Sequence, residues 1–174
     1  MALTKLNNQS LTAVTSDGIP MPSGAFIRQY SGVTSTPLAR SGNTDTILTI
    51  SNVVVNSGEN VFFSYHISDH NGSSSNPHSA VRVEYTNNST NVTKSVGHSA
   101  WGLGISDTKS DNWQLLTGFL NLSNYHTSPW TDSGTFTVVV KIRGNTTSGY
   151  FGGEGSGAKA EYTPAMASLM IAAA

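Results

Sequence analysis

The chain has 174 residues, 11% of them charged, with a formal net charge of −1 and no cysteine. That balance offers no basic field to nucleic acid or to an anionic membrane, the missing cysteine excludes disulfides and thiolate chemistry, and no apolar stretch is long enough to cross a bilayer. Ser, Thr, Asn and Gly supply 77 residues, yet 37% apolar and 9% aromatic residues at low charge argue for one folded body with a real core.

Residues 1–20, MALTKLNNQSLTAVTSDGIP, have neither the charged start and apolar centre of a secretory signal nor a helical period. They read as an extended arm held by a neighbour. Leu3, Leu6, Leu11, Val14 and Ile19 are its apolar anchors, and Lys5, Asn7, Asn8 and Gln9 can bond to a partner's backbone. Pro20, Pro22, Ser23 and Gly24 mark a hinge, which divides the chain into an arm at 1–24 and a body at 25–174.

Period-two alternation dominates the body. Strands are predicted at Ala25–Tyr30 and Asp45–Val55, then at Asn60–Ile67, where Val61, Phe63, Tyr65 and Ile67 share one face and Phe62 lies on the other, placed to meet a partner subunit. Ala80–Thr86 follows, with Val81, Val83 and Tyr85 alternating against Arg82, Glu84 and Thr86. Trp113–Leu122 and Thr135–Arg143 come next, the latter with Phe136, Val138, Val140 and Ile142 on one side. Turn clusters separate these runs at 56–58, 71–77, 87–91 and 144–145, and Gly149–Gly157 reads as a glycine-rich loop. The tail Ala165–Ala174 contains helix-forming residues, but the alternation of Leu169 and Ile171 after Pro164 favours a strand. Seven or eight strands and no helix predict an all-β fold, an antiparallel β-sandwich of the jelly-roll type behind an N-terminal arm. There is no internal repeat, heptad or shaft-like segment.

Few residues suggest chemistry. Gly97-His-Ser-Ala-Trp101 has the start of a nucleophile elbow but Trp101 where the elbow needs glycine, in a chain that cannot build the strand-to-helix turn. His66, Asp69, His70 and His78 are close in sequence, but loop spacing constrains a metal site little, and no metal or other cofactor is expected. Asp107, Asp111 and Asp132 lack the spacing of a calcium loop. In the glycine-rich loop Ala158 separates Gly157 from Lys159, against the phosphate-loop pattern, and Tyr150 and Phe151 are free to rest on a neighbour. Glycosidase chemistry needs two facing carboxylates, and outward-pointing Glu84 has no evident partner, so no catalytic residue is assigned. Trp101, Trp130, Tyr125 and Tyr150 lie among Asn, Asp and Ser and are candidate stacking platforms for a glycan, with Trp113 expected to be buried.

The opening twenty residues resemble the start of tail-fibre-like, accessory virion structural proteins of phages of aquatic bacteria, of the cyanophage type. The resemblance implies a non-enzymatic virion protein, made in the host cytoplasm and carried on the outer surface of a capsid or tail. Its partners would be copies of itself, in a homotrimer, and the major capsid protein or tail proteins. The missing shaft favours a capsid decoration, or cement, protein anchored by the arm. The alternative is a tail-fibre or receptor-binding protein that recognises a host-surface glycan.

Overall fold

A computed structural model describes residues 24–34, 38–41, 44–71, 78–99, 102–103, 106–107, 112–144, 149–151 and 165–173. They form β1 (Phe26–Val33), β2 (Leu38–Ala39), β3 (Thr44–Val55), β4 (Asn60–Asn71), β5 (His78–Asn87), β6 (Thr93–Val96), β7 (Ser106–Asp107), β8 (Asn112–Asn121), β9 (Gly134–Gly144), β10 (Gly149–Phe151) and β11 (Met166–Ala172). The arm at 1–23 lies outside the described residues.

All pairings are antiparallel, in two sheets packed as a sandwich. The first sheet runs β1-β11-β4-β10-β2, with β8 on the other edge of β4; the second runs β3-β9-β5-β6, with β7 beside β5. β11 and β10 occupy the same edge of β4 end to end, at Asn60–His66 and Asp69–Asn71, and β2 continues β1 in the same way. The first sheet is therefore four lanes wide, and its last two lanes are each made of two segments. Successive long strands alternate between sheets, so each turn of the chain closes the sandwich.

The alternation in the sequence sets what faces inward. Phe136, Val138, Val140 and Ile142 of β9, Val81, Val83 and Tyr85 of β5, Val61, Phe63 and Ile67 of β4, and Leu169 and Ile171 of β11 fill one core. Each buried side chain of this size contributes about 1.5–3 kcal/mol. Gly118 of β8 admits the Tyr65 ring, because a Cβ there would lie 2.5 Å from Tyr65 Cε1.

All seven predicted strands are present, and the C-terminal segment is the strand that the alternation of Leu169 and Ile171 implies. The glycine-rich loop is corrected at its start. Gly149–Phe151 is a strand paired to β4 and β2, and Phe151 is fully buried under the Arg40 guanidinium, 4.4 Å from the ring centre, so it does not rest on a neighbour. The short strands β2, β6 and β7 carry too few residues for a period to register.

Candidate interaction surface

The two sheets present different outer faces. On the second sheet Glu84 points outward, and it has cationic partners. Lys141 Nζ lies 2.6 Å from Glu84 Oε2 and Arg82 Nη2 lies 3.2 Å from Glu84 Oε1. A carboxylate held between two cations on a solvated sheet is a surface ion-pair network.

The outer face of the first sheet mixes large apolar residues with small polar ones. Phe26, Gln29, Ser31 and Val33 project from β1, Met166, Ser168 and Met170 from β11, Phe62, Ser64, His66 and Ser68 from β4, and Leu115, Thr117, Phe119 and Asn121 from β8. None of these carries a carboxylate, an ammonium or a guanidinium. The nearest charges, Arg28 and Glu59, pair with each other at the end of the sheet. Phe26 is 54% exposed, Phe119 58% and Val33 61%, and of the large apolar residues most exposed among those described only Val92 lies elsewhere. The aromatics form a row: Phe26 meets Phe62 edge-on at 5.4 Å, and Phe62 stacks on Phe119 at 5.7 Å between centroids with 20° between planes.

Phe62 is where the sequence placed it, on the face away from the core. Phe119, Phe26 and the two methionines were missed. Their signal is an apolar residue at consecutive strand positions, as in Phe62-Phe63, Phe119-Leu120 and Met170-Ile171, which makes both faces of a strand apolar at once.

Of the aromatic glycan candidates, Trp130 is corrected. It is 2% exposed and stacks on Tyr85, so neither ring face is open to a sugar. Phe136 meets both rings edge-on, at 5.1 and 5.6 Å, and Trp130 Nε1 donates to the Asp132 carbonyl at 3.0 Å. Tyr125 is half-buried, and its hydroxyl donates to the Leu103 carbonyl at 2.6 Å. Tyr150 is half-buried in β10, opposite position 70, whereas Tyr125 is tied to Leu122 near Val61. Nine residues of β4 separate those levels, about 30 Å, so the two tyrosines share no platform. Trp101, the side chain of Trp113, and the arm anchors Leu3, Leu6, Leu11, Val14 and Ile19 lie outside the described residues.

The metal candidates with described side chains do not converge, and Asp111 and the side chains of His70 and Asp107 lie outside the described residues. His66 is on the outer face of β4, while Asp69 is on its inner face and fully buried. Asp132 pairs with Lys94 at 2.8 Å at one end of β5, and the Asp107 backbone pairs with His78 at the other. Among the described residues no three His, Cys, Asp or Glu side chains gather at one point. His98 and Gly102 close an antiparallel bridge, so Gly97-His-Ser is part of a tight turn between strands.

One buried polar cluster ties the sheets together. Arg40 pairs with Asp69, donates to Ser79 Oγ at 3.0 Å, and Ser79 Oγ donates to Asp69 Oδ2 at 2.5 Å. Neither charged side chain is exposed. Gly144 leaves space for the guanidinium, since a Cβ there would lie 2.5 Å from Arg40 Nη1. At the opposite end of the sandwich, Asn87, Thr90, Val92, Lys94, Thr131, Asp132 and Ser133 line a shallow open cleft of about 420 Å³. Burial, reinforced by the Asp132 carboxylate, pushes the Tyr85 phenol well above its ordinary value, and burial also raises Tyr65 and Tyr125.

Comparison of the chain with protein-family models, curated proteins and solved structures returned no match.

Proposed function

We propose that this chain is a non-enzymatic accessory structural protein of a bacteriophage virion, acting as a capsid decoration or cement protein. In this reading the sandwich is a jelly roll, and the 1–20 arm anchors each copy to the major capsid protein. The observation that carries an assembly role is the uncharged outer face of the first sheet, with Phe26, Phe62 and Phe119 in a row across it. Large exposed apolar faces on monomers mark surfaces that other proteins cover. The virion itself comes from the likeness of residues 1–20. Repetition on a lattice would make a modest affinity per copy sufficient. The test is the number of copies per purified particle, by quantitative mass spectrometry against the major capsid protein. Hundreds of copies would fit a shell-tiling protein, and absence from particles would overturn the proposal.

The second reading is a tail-fibre or receptor-binding protein that recognises a host-surface glycan. The polar cleft between Asn87, Lys94 and Asp132 favours it, because sugar hydroxyls need such donors and acceptors. A count of a few to a few dozen copies per particle, with a glycan-array signal lost in Lys94→Ala, would favour this reading over decoration.

A further inference from the structure

We infer that the outer face of the first sheet is covered by another copy of this same chain. The inference rests on the assembly reading and names the surface and the partner through which assembly begins.

Three observations choose the occupant. The first is charge. No outward-pointing described residue on β1, β11, β4 or β8 is an Asp, Glu, Lys or Arg, so the face carries no fixed charge to select an acidic or a basic partner. Its complement is another face without fixed charge, and two copies of this one meet without opposing Asp, Glu, Lys or Arg side chains. The second sheet, with Arg82, Glu84 and Lys141 on its surface, lacks that property.

The second is extent. Four lanes at about 4.8 Å and about 25 Å of strand give a face of about 500 Å². Two copies would then bury about 1,000 Å², which reaches the lower bound of a specific protein interface.

The third is composition. Three contacting phenylalanines at one end of the face, with Met170 opposite Phe62 and Met166 four residues away along β11, give it the aromatic and methionine enrichment of interfaces. Ser31, Ser64 and Ser168 lie side by side in one row across β1, β11 and β4, where small side chains let a second surface approach closely. Apolar residues also reach the edge strand β8 through Leu115 and Phe119, so the face continues to the rim without a charged border there.

The test uses the full purified chain in the absence of particles. Light scattering is expected to give twice 18.3 kDa, the mass of a pair closed through this face. Phe119→Lys and Leu115→Lys change exposed positions, so the fold tolerates them, and each should shift the mass to that of one chain with an unchanged circular dichroism spectrum. Val92→Lys, a comparably exposed apolar position away from the face, should leave the mass unchanged. A wild-type chain that stays monomeric at its highest soluble concentration overturns the inference. So does an oligomer that survives both lysine variants, including one lost only on deleting residues 1–20, because the contact would then lie elsewhere. Particle copy number is read separately. A monomer still abundant on particles would sink this inference alone, and an oligomer absent from particles would sink the virion reading alone.

Discussion

The indole of Trp130 lies flat on the Tyr85 ring, with centroids 3.9 Å apart and planes 12° from parallel. Tyr85 is on β5 and Trp130 is on the connection between β8 and β9, so the stack fastens a long loop to the second sheet. Trp130→Ala should therefore cost about 3–5 kcal/mol of stability, as expected for deleting a buried aromatic. Urea unfolding followed by circular dichroism measures it. A variant as stable as the wild type would show that the stack contributes nothing.

Arg40 and Asp69 make the second prediction. Arg40→Met strands a carboxylate that has no exposure, and breaking such a pair costs about 3–5 kcal/mol. Replacing both residues, Arg40→Met with Asp69→Leu, should restore much of that loss, since two apolar side chains need no solvation. Denaturant midpoints of the two single variants and the double variant test this. A double variant less stable than either single one would contradict it.

Gly118 and Tyr65 supply a third. Gly118→Val puts side-chain carbon where the Tyr65 ring sits and should cost about 1–3 kcal/mol by overpacking. In a Tyr65→Ala background the same substitution should cost less, because the ring it displaces is gone. A double-mutant cycle reads the coupling, and additive losses would show that the strain lies elsewhere.

Alkaline pH supplies a fourth. Burial raises the phenols of Tyr85, Tyr65 and Tyr125 above the ordinary 10.0, so the fold favours their neutral forms. Their contribution to stability is complete below pH 10.0 and is lost as the pH climbs from there toward the folded-state values. Phenolate absorbance from Tyr85, Tyr65 and Tyr125 should rise only above pH 10.0, in a phase that coincides with loss of β-sheet ellipticity. Complete phenolate formation with the fold intact throughout would contradict the burial argument.

The arm supplies a fifth. Deleting residues 1–20 should leave a sandwich with wild-type circular dichroism, because the described core draws on none of them. The truncated protein should fail to bind purified particles that the full chain decorates. Undiminished binding would refute anchoring by the arm.

The strands were legible because Val138, Val140 and Ile142 alternate with Thr137, Val139 and Lys141, and one buried face is all a period of two needs. The tail read as a strand for the same reason, despite its alanines. What the period could not convey was β10, where three residues beside a run of glycines pair with strands distant in sequence. Trp130 follows Pro129 among polar residues, the pattern of an exposed loop, and only the position of Tyr85 on a neighbouring strand explains its burial. The Lys141 that pairs with Glu84 was not legible because it lies 57 positions away, and cross-strand register is not written locally. The aromatic row on the outer face was legible at Phe62 alone, since its other members come from β1 and β8 and acquire meaning only once β4 lies between them.

The broken lane of the first sheet has a consequence for how this chain can change over time. β10 ends opposite Asp69 and β11 begins opposite His66, a step of about 10 Å along β4. In sequence, residues 152–164 lie between the two strand ends. At the far side of that step Thr34 and Ala165 clamp the return, with the Thr34 amide donating to the Ala165 carbonyl at 2.9 Å and the Ala165 amide to Thr34 Oγ1 at 3.0 Å. Each half of the lane keeps its own register on β4, so residues gained or lost between them leave every strand pairing where it was. Doubling such a segment costs only about 0.6 kcal/mol in closure entropy. Lineages could thus rewrite this stretch, or a peptide could be grafted into it for display, without renegotiating the sandwich that carries it.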